Sequence, residues 1–207
     1  MAAAAKVRGT GIARRTHEYI ATKMKEGKAV IALCGGAFAG FSYIETWGNK
    51  QYVTTSVLIV APEYRNRGVA KRIKDLTFSL ARTRWPNAKI FSLTSGSAVM
   101  KMNTHLGYLP VTFAELTDDE AFWRGCEGCV NVDVLKRTGR RYCICTGMLY
   151  DPGEADTHGG PWRRRRHTGP PHIPAHGAAR PHPHARPLRH SRPAAQGRLK
   201  QTKKQQP

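Results

Sequence analysis

A strand, a short basic loop and an amphipathic helix follow one another without interruption over residues 57–80. The apolar run 57–60 has the β-branched content of a buried strand. Pro62 ends that run, because proline has no amide to donate to a neighbouring strand. Beyond the loop, apolar residues recur at helical spacing, at Val69, Ile73, Leu76 and Leu80. We expect this stripe to face the core, with a polar side made of Lys71, Arg72, Lys74 and Asp75.

The loop of residues 63–68, between this strand and this helix, is suited to holding a phosphate group. A helix that begins here leaves its first amides without acceptors and has a partly positive N-terminus. Arg65 and Arg67 add two cations, and Gly68 lets the backbone approach a ligand closely because it has no Cβ. The segment therefore predicts a binding site for a diphosphate.

The same loop carries a resemblance to a known family. The run Arg65-Asn66-Arg67-Gly68-Val69-Ala70 resembles the acyl-CoA signature of the GNAT N-acetyltransferases, Arg/Gln-x-x-Gly-x-Gly/Ala. Val60-Ala61-Pro62 before it and Leu106-Gly107-Tyr108 after it are also similar to the family. The resemblance spans residues 16–115. It implies an α/β fold of the α+β type, in which helices flank a mixed, mostly antiparallel central sheet.

The resemblance also implies a function. It predicts an enzyme, an N-acyltransferase that moves an acetyl or short acyl group from acyl-CoA to a primary amine. Acetyl-CoA, or another acyl-CoA, would be the cosubstrate. The cofactor-binding residues that the resemblance implies are Leu58, Ile59 and Val60 around the thioester, Arg65, Asn66, Arg67, Gly68, Val69 and Ala70 around the pyrophosphate, and Asn103. One backbone amide of the first group would polarise the thioester carbonyl.

Three side chains are candidates for the catalytic chemistry. Glu45 is the only carboxylate in the central sheet region and would act as a base through water; the alternative is a solvent-facing strand residue. Asn103 stands where the family usually has its tyrosine acid, and it can bond a thiolate but supplies no titrating proton. Tyr108 is the other candidate acid, although a packing role fits its place in the Leu-Gly-Tyr triplet better.

Four cysteines form a second constellation, Cys126, Cys129, Cys143 and Cys145. We expect the two pairs to face each other across a hairpin, where four thiolates would hold a structural zinc ion. The competing interpretation is a set of separate buried cysteines in a small sheet.

Composition divides the chain near Pro152. Each part carries a net charge of +10, but residues 153–207 contain nine prolines and seven histidines and show no apolar period. We predict an irregular segment 1–15, where the family's first strand and helix are missing, an acyltransferase domain 16–152, and a disordered Arg/Pro/His-rich tail 153–207. The tail would bind nucleic acid only non-specifically.

The remaining elements follow from apolar periods and turn residues. Strands are predicted over residues 29–34, 38–47, 52–60, 89–94, 109–113, 130–135 and 142–150, and helices over 16–25, 97–106 and a short segment ending near Gly125.

The sequence also bears on the cellular location of the protein and on the identity of the acceptor amine. The sequence shows no signal peptide and no membrane span, and its five cysteines favour a reducing cytoplasm. Residues 115–152 resemble a bacterial GNAT subgroup associated with arginine biosynthesis, which would imply an acidic amino acid such as glutamate as the acceptor. The basic residues Arg14, Arg15, Lys23 and Lys25 are compatible with an anionic acceptor, and equally with a general role in solubility. Two alternatives remain open: a zinc-stabilised basic module that binds nucleic acid, and a truncated, inactive acyltransferase.

Overall fold

The computed structural model of the chain describes residues 15–157. The predicted N-terminal segment therefore lies outside the described residues except for Arg15. The predicted tail lies outside them from His158 onward.

The described part alternates between strands and helices. The strands are β1 (Ala29–Cys34), β2 (Ala37–Trp47), β3 (Tyr52–Val60), β4 (Lys89–Thr94), β5 (Leu109–Val111) and β6 (Thr146–Tyr150). The α-helices are α1 (His17–Lys25), α2 (Val69–Arg84), α3 (Ser97–His105), α4 (Glu120–Arg124), α5 (Val132–Arg137) and α6 (Pro152–Thr157). Two 3-10 turns lie at Pro62–Tyr64 and Phe113–Glu115.

Within residues 15–157 the strands form one sheet in the order β1-β2-β3-β4-β6-β5. Every neighbouring pair is antiparallel except β3 and β4, which run parallel and are connected through α2. A parallel pair needs such a crossover, because the chain must return to the same end of the sheet. The predicted mixed, mostly antiparallel sheet with flanking helices is confirmed.

The core has two halves, one on each face of this sheet, since neighbouring strand residues point to opposite sides. Ile90 belongs to the half that α2 covers with Phe78 and Ala81. Phe91 belongs to the other half, where it packs with Trp123 and Leu135. The first face therefore carries α2, and the second carries α4 and α5.

The prediction of a strand over residues 130–135 is wrong, because α5 occupies this segment. Asp133 lies in its first turn and Lys136 in its last, a charge order that suits the helix dipole. The hydroxyl of Thr138 donates to the carbonyl of Val134 at 2.9 Å and closes the helix end. The predicted final strand is also too long, since β6 begins only at Thr146. The predicted hairpin between the cysteine pairs does not form.

Two further boundaries differ from the prediction. Helix α6 runs to Thr157, five residues past the predicted end of the domain. On α2 the buried face consists of Ile73, Lys74, Thr77, Phe78 and Ala81, whereas Leu76 is 53% exposed. The predicted polar side of this helix was therefore wrong at Lys74, and the predicted apolar side was wrong at Leu76.

Candidate active site

Strands β3 and β4 separate partway along the sheet. They pair through Tyr52–Lys89, Val53–Ile90 and Thr54–Phe91, and β4 pairs beyond that point only with β6. A cavity of about 570 Å³ lies at the opening. Its walls include Thr54, Thr55, Ser56, Val57 and Leu58 of β3 and Ser92, Leu93 and Thr94 of β4.

Residues from both faces of the sheet line this cavity. Lys74 of α2 contributes from the first face, and Phe122 and Leu135 contribute from the second. The cavity therefore lies at the gap in the sheet and is bordered by side chains from both faces.

Strand β3 is bulged at the point where it leaves β4. Its pairing with β2 passes from Tyr43–Ser56 directly to Phe41–Ile59, so that Val57 and Leu58 lie outside one-to-one pairing. Val57 has a φ of +55°, which is a strained conformation for a β-branched residue. Such strain costs on the order of 1–3 kcal/mol and is found mainly where a site requires it. The two bulged residues, Val57 and Leu58, both line the cavity.

The bulge changes the predicted thioester contacts in part. Leu58 lies in the bulge and lines the cavity. Ile59 and Val60 pair with Phe41 and Gly40 of β2 instead. Val57 was not predicted, and no pattern of residue types marks a bulge of this kind.

The predicted phosphate loop connects β3 to α2. Helix α2 begins at Val69, as predicted, with Gly68 before it at a φ of +77° and without a side-chain cap. The first capping bond runs from the amide of Arg72 to the carbonyl of Gly68 at 3.1 Å, so helix geometry leaves the preceding amides free to bind a ligand. A Cβ at position 68 would meet nothing within 4 Å, which leaves open space beside the helix N-terminus.

The arginines of the loop are exposed, and one of them is tied to the strand. The Nε of Arg65 donates to the carbonyl of Val60 at 3.3 Å, and the Arg67 guanidinium lies 5.9 Å from the centre of the Tyr64 ring. Asn66 has a φ of +58°, which helps the chain turn into the helix. Two cations therefore flank the amides of the α2 N-terminus.

Lys74 is the charged group of the cavity that the sequence analysis missed. It is 2% exposed, and its Nζ donates to the Thr55 hydroxyl at 2.7 Å. The Nζ also lies 5.1 Å from the centre of the Tyr108 ring. Burial lowers the pKa of Lys74 to about 7. The signal available in the sequence was its spacing from Phe78 and Ala81, four and seven residues away on one helical stripe.

The two predicted acid candidates are buried behind this group. Asn103 and Tyr108 are both 0% exposed, and neither is among the described residues that line the cavity. Burial raises the pKa of Tyr108, which makes it a poorer acid. The amide atoms of Asn103 have no hydrogen-bond partner among the described residues. These environments favour packing over proton transfer for both.

Glu45 is placed away from the cavity lining, on β2. Its carboxylate forms ion pairs with Lys23 and with Lys28, the latter at 3.0 Å, and it accepts from the Tyr19 hydroxyl at 3.2 Å. Burial raises the pKa of Glu45, but the bonds to the two lysines outweigh it and leave that pKa lowered. A carboxylate held in this way is a weak base, so the geometry argues against the predicted catalytic role.

The four cysteines lie at the cavity, all on its wall. Burial is the main cause that raises the pKa of Cys126 to about 11 and that of Cys145 to about 12, with the neighbouring thiols adding to it. No group of three or more His, Cys, Asp or Glu residues within 15–157 is arranged to hold a metal ion. The predicted zinc site is therefore not supported.

One cation lines the cavity on the second face. Arg15 donates from Nε to the Tyr43 hydroxyl at 3.1 Å, and its guanidinium lies 5.4 Å from the centre of the Tyr19 ring. The bond to Tyr43 and the nearby hydroxyls raise the pKa of Arg15 against the opposing effect of burial. Arg14, named with it as a candidate contact for an anion, lies outside the described residues.

Comparison with known proteins identifies the fold. No protein-family model matches the chain, and no curated protein matches it. Among solved structures, it is similar to N-acetylglutamate synthase from Neisseria gonorrhoeae, complexed with coenzyme A and N-acetyl-glutamate, at 15% identity and a TM-score of 0.51. The match covers 72% of this chain and 30% of that protein.

Two further structures are similar over a shorter part of the chain. Rv2747 from Mycobacterium tuberculosis, in complex with CoA and NLQ, has 14% identity and a TM-score of 0.48, covering 67% of this chain and 82% of that one. Ribosomal-protein-alanine N-acetyltransferase from Brucella melitensis has 14% identity and a TM-score of 0.44, covering 65% and 75%. The fold comparison rests on the Neisseria structure.

The chain therefore has the acetyltransferase fold that the resemblance implied, the GNAT fold. It spans 30% of the length of the Neisseria protein, and the identity of 15% carries the likeness no further than the fold. None of the helices within residues 15–157 has the length and apolar character needed to cross a membrane.

Proposed function

We propose that the chain is an N-acyltransferase that moves an acetyl or short acyl group from acyl-CoA to a primary amine. The observation that carries this proposal is the cavity at the separation of β3 and β4, placed on the same strand that leads into the N-terminus of α2. A pyrophosphate and a thioester need these two sites, and the extended arm of coenzyme A would connect them.

The backbone holds the cosubstrate at both ends in this proposal. Free amides at the start of α2, beside Gly68 and the flanking arginines 65 and 67, bind the pyrophosphate. A backbone amide of the bulge, at Val57 or Leu58, donates to the thioester carbonyl. That hydrogen bond strengthens as negative charge builds on the oxygen, which lowers the barrier to attack.

The amine enters from the second face of the sheet. Its lone pair attacks the carbonyl carbon, the C–N bond forms, the C–S bond breaks, and the coenzyme A thiolate leaves toward the first face. Thr54 and Ser56 offer hydroxyls along the amine's approach. A reaction of this kind requires both reactants in the cavity together, and the lining from both faces supports that arrangement.

An acidic amino acid such as glutamate is our proposed acceptor. Arg15 lines the second face of the cavity and can bind a carboxylate. The Neisseria structure that shares the fold contains N-acetyl-glutamate. Arg15→Gln should therefore raise the KM for L-glutamate while leaving the KM for acetyl-CoA unchanged. If Arg15→Gln raised the KM for an uncharged amine by the same factor, this choice of acceptor would be contradicted.

Coenzyme A binding is the direct test of the proposed function. At a coenzyme concentration of about 100 times Kd, binding stabilises a protein by about 2.7 kcal/mol, which should raise the Tm by about 5–10 °C. Gly68→Glu should abolish this rise, because it places a side chain and a negative charge beside the helix N-terminus. Gly36→Glu is the matched control: Gly36 also has a positive φ, +85°, and open space beside it, but it lies in the β1–β2 turn. An unchanged Tm with the wild-type protein, or an equal loss in both variants, would refute the proposal.

A further inference from the structure

We propose that Lys74 is a further catalytic residue of this acyl transfer, and that its ammonium group donates a proton to the coenzyme A thiolate as the C–S bond breaks. This role rests on the proposed function. It fills the position of the acid that neither Asn103 nor Tyr108 can fill, since one has no titrating proton and the other is buried outside the cavity lining.

The position of Lys74 carries the inference. The residue lines the cavity from the face that α2 covers, and its Nζ is fixed by the hydrogen bond of 2.7 Å to Thr55. Thr55 precedes Val57 by two residues on the same strand, which is about 7 Å along β3. A thioester whose oxygen is bound at the bulge therefore lies about two residues along β3 from the hydroxyl that holds the Lys74 Nζ.

The surroundings of Lys74 are those of a proton donor rather than of a structural ion pair. From β3 it meets the Thr55 hydroxyl, and from the segment after α3 it meets the ring of Tyr108. Among the described residues it forms no salt bridge, whereas the charged neighbours on its own helix, Lys71 and Asp75, pair with each other at 2.9 Å. Burial without a counter-ion costs stability, which indicates that the cavity needs the charge.

The chemistry is balanced by proton transfers within the cavity and with solvent. The leaving thiolate takes one proton from the Lys74 ammonium and becomes the free thiol. The lysine amine then regains a proton from water, and the acceptor nitrogen releases one proton to the hydroxide that remains, so that the net products are the amide and the free thiol. Because burial lowers the pKa of Lys74 to about 7, its ammonium is a stronger acid than an ordinary thiol, with a pKa of about 8.5. Proton transfer to the thiolate is therefore downhill.

The first experiment needs no acceptor amine. The protein is labelled with ¹³C at the lysine Cε, and the Lys74 signal, assigned with Lys74→Met, is titrated with pH in complex with coenzyme A and with desulfo-coenzyme A. Contact between the Nζ of Lys74 and the sulfur couples the two titrations, so the Lys74 midpoint should be higher with coenzyme A than with desulfo-coenzyme A. Equal midpoints in two saturated complexes would refute the role of Lys74.

The second experiment measures turnover, with L-glutamate and with hydroxylamine as acceptors. Lys74→Met should lower kcat at pH 7 by about 100-fold and leave the KM for acetyl-CoA nearly unchanged. The wild-type kcat should fall as the pH rises through the Lys74 titration. The pH profile of the variant should lack this decline. Lys101→Met, at an exposed lysine of α3, is the matched control and should retain wild-type kinetics. A variant with unchanged kcat would overturn the inference.

Calorimetry separates the two proposals. If coenzyme A does not bind the wild-type protein, the proposed function fails and the role of Lys74 fails with it. If coenzyme A binds but the Lys74 titration midpoint is the same with coenzyme A and with desulfo-coenzyme A, only the role of Lys74 fails. Circular dichroism shows whether Lys74→Met is folded, and the titration of the wild-type protein stands whether or not it is.

Discussion

Two buried lysines on opposite faces of the sheet differ in what balances their charge. Lys23, 7% exposed, forms ion pairs with Glu26 and Glu45, and Lys28 joins the same cluster. Lys74, 2% exposed, has a hydroxyl and an aromatic ring beside it and forms no ion pair with any residue of 15–157. The first arrangement joins α1 to β2 and is explained by structure. The second weakens the fold, so packing does not explain why Lys74 is buried. Its position on the cavity wall does.

The largest effect should come from removing the shared carboxylate of the paired cluster. Glu45→Gln leaves the ammonium groups of Lys23 and Lys28 with Glu26, which is 40% exposed, as their shared counter-ion. We expect the loss of the more buried carboxylate to cost about 3 kcal/mol of unfolding free energy. Urea denaturation measures this loss. Glu120→Gln is the control, because its ion pair with Arg140 is exposed and its loss should cost no more than about 0.5 kcal/mol. A small effect of Glu45→Gln would show that the cluster is not a structural joint.

The unpaired lysine should respond in the opposite direction. Lys74→Met keeps much of the side-chain volume and removes a buried charge, so we expect it to raise the unfolding free energy at pH 7 by on the order of 2 kcal/mol. The same urea denaturation measures the gain. Together with the expected loss of kcat, this is the exchange of activity for stability that is typical of active-site residues. If Lys74→Met destabilised the protein, Lys74 would have a structural role like that of Lys23, and the contrast would fail.

The stability difference between wild type and Lys74→Met should depend on pH. Burial lowers the pKa of Lys74 to about 7 in the folded protein, below the value of about 10.4 for an unfolded lysine. Between these values the unfolded chain binds more protons, so a rise in pH stabilises the wild-type fold. The advantage of methionine should be greatest at or below pH 7 and should fall steadily until about pH 10. A pH-independent difference would contradict the lowered pKa.

The smallest effect concerns another buried polar group without a partner. Asn103→Leu removes an amide whose side-chain atoms have no hydrogen-bond partner among the described residues, and it should raise stability by about 1 kcal/mol. If Asn103 contacts coenzyme A, as the sequence predicted, the same change should also weaken coenzyme binding. Thermal denaturation with and without the coenzyme distinguishes the two results.

The sequence predicted the loop and helix that lead away from the site better than the residues that line the cavity. Pro62, Gly68 and the periodic helix after them act through local backbone chemistry, and the helix starts where these residues place it. The bulge at Val57 depends instead on pairing with β2, which no nearby residue specifies.

The errors on α2 and α5 have related causes. Lys74 was assigned to the polar side because its charge outweighed its spacing from Phe78 and Ala81. The alternation of Val130, Val132 and Val134 indicated a strand, but the segment folds as a short helix that buries Leu135 in the second core half. In both cases tertiary packing overrode a local pattern.

The lining of the cavity by both faces of the sheet has a consequence for the order of events in the proposed reaction. If acyl-CoA and the amine approach the reacting carbon from opposite faces, neither blocks the other's entry or exit. A covalent acyl-enzyme stage is then unnecessary, and double-reciprocal plots of initial rates should give intersecting rather than parallel lines. A single molecule that joins coenzyme A to an acceptor through the sulfur should occupy both parts of the cavity and bind more tightly than either half.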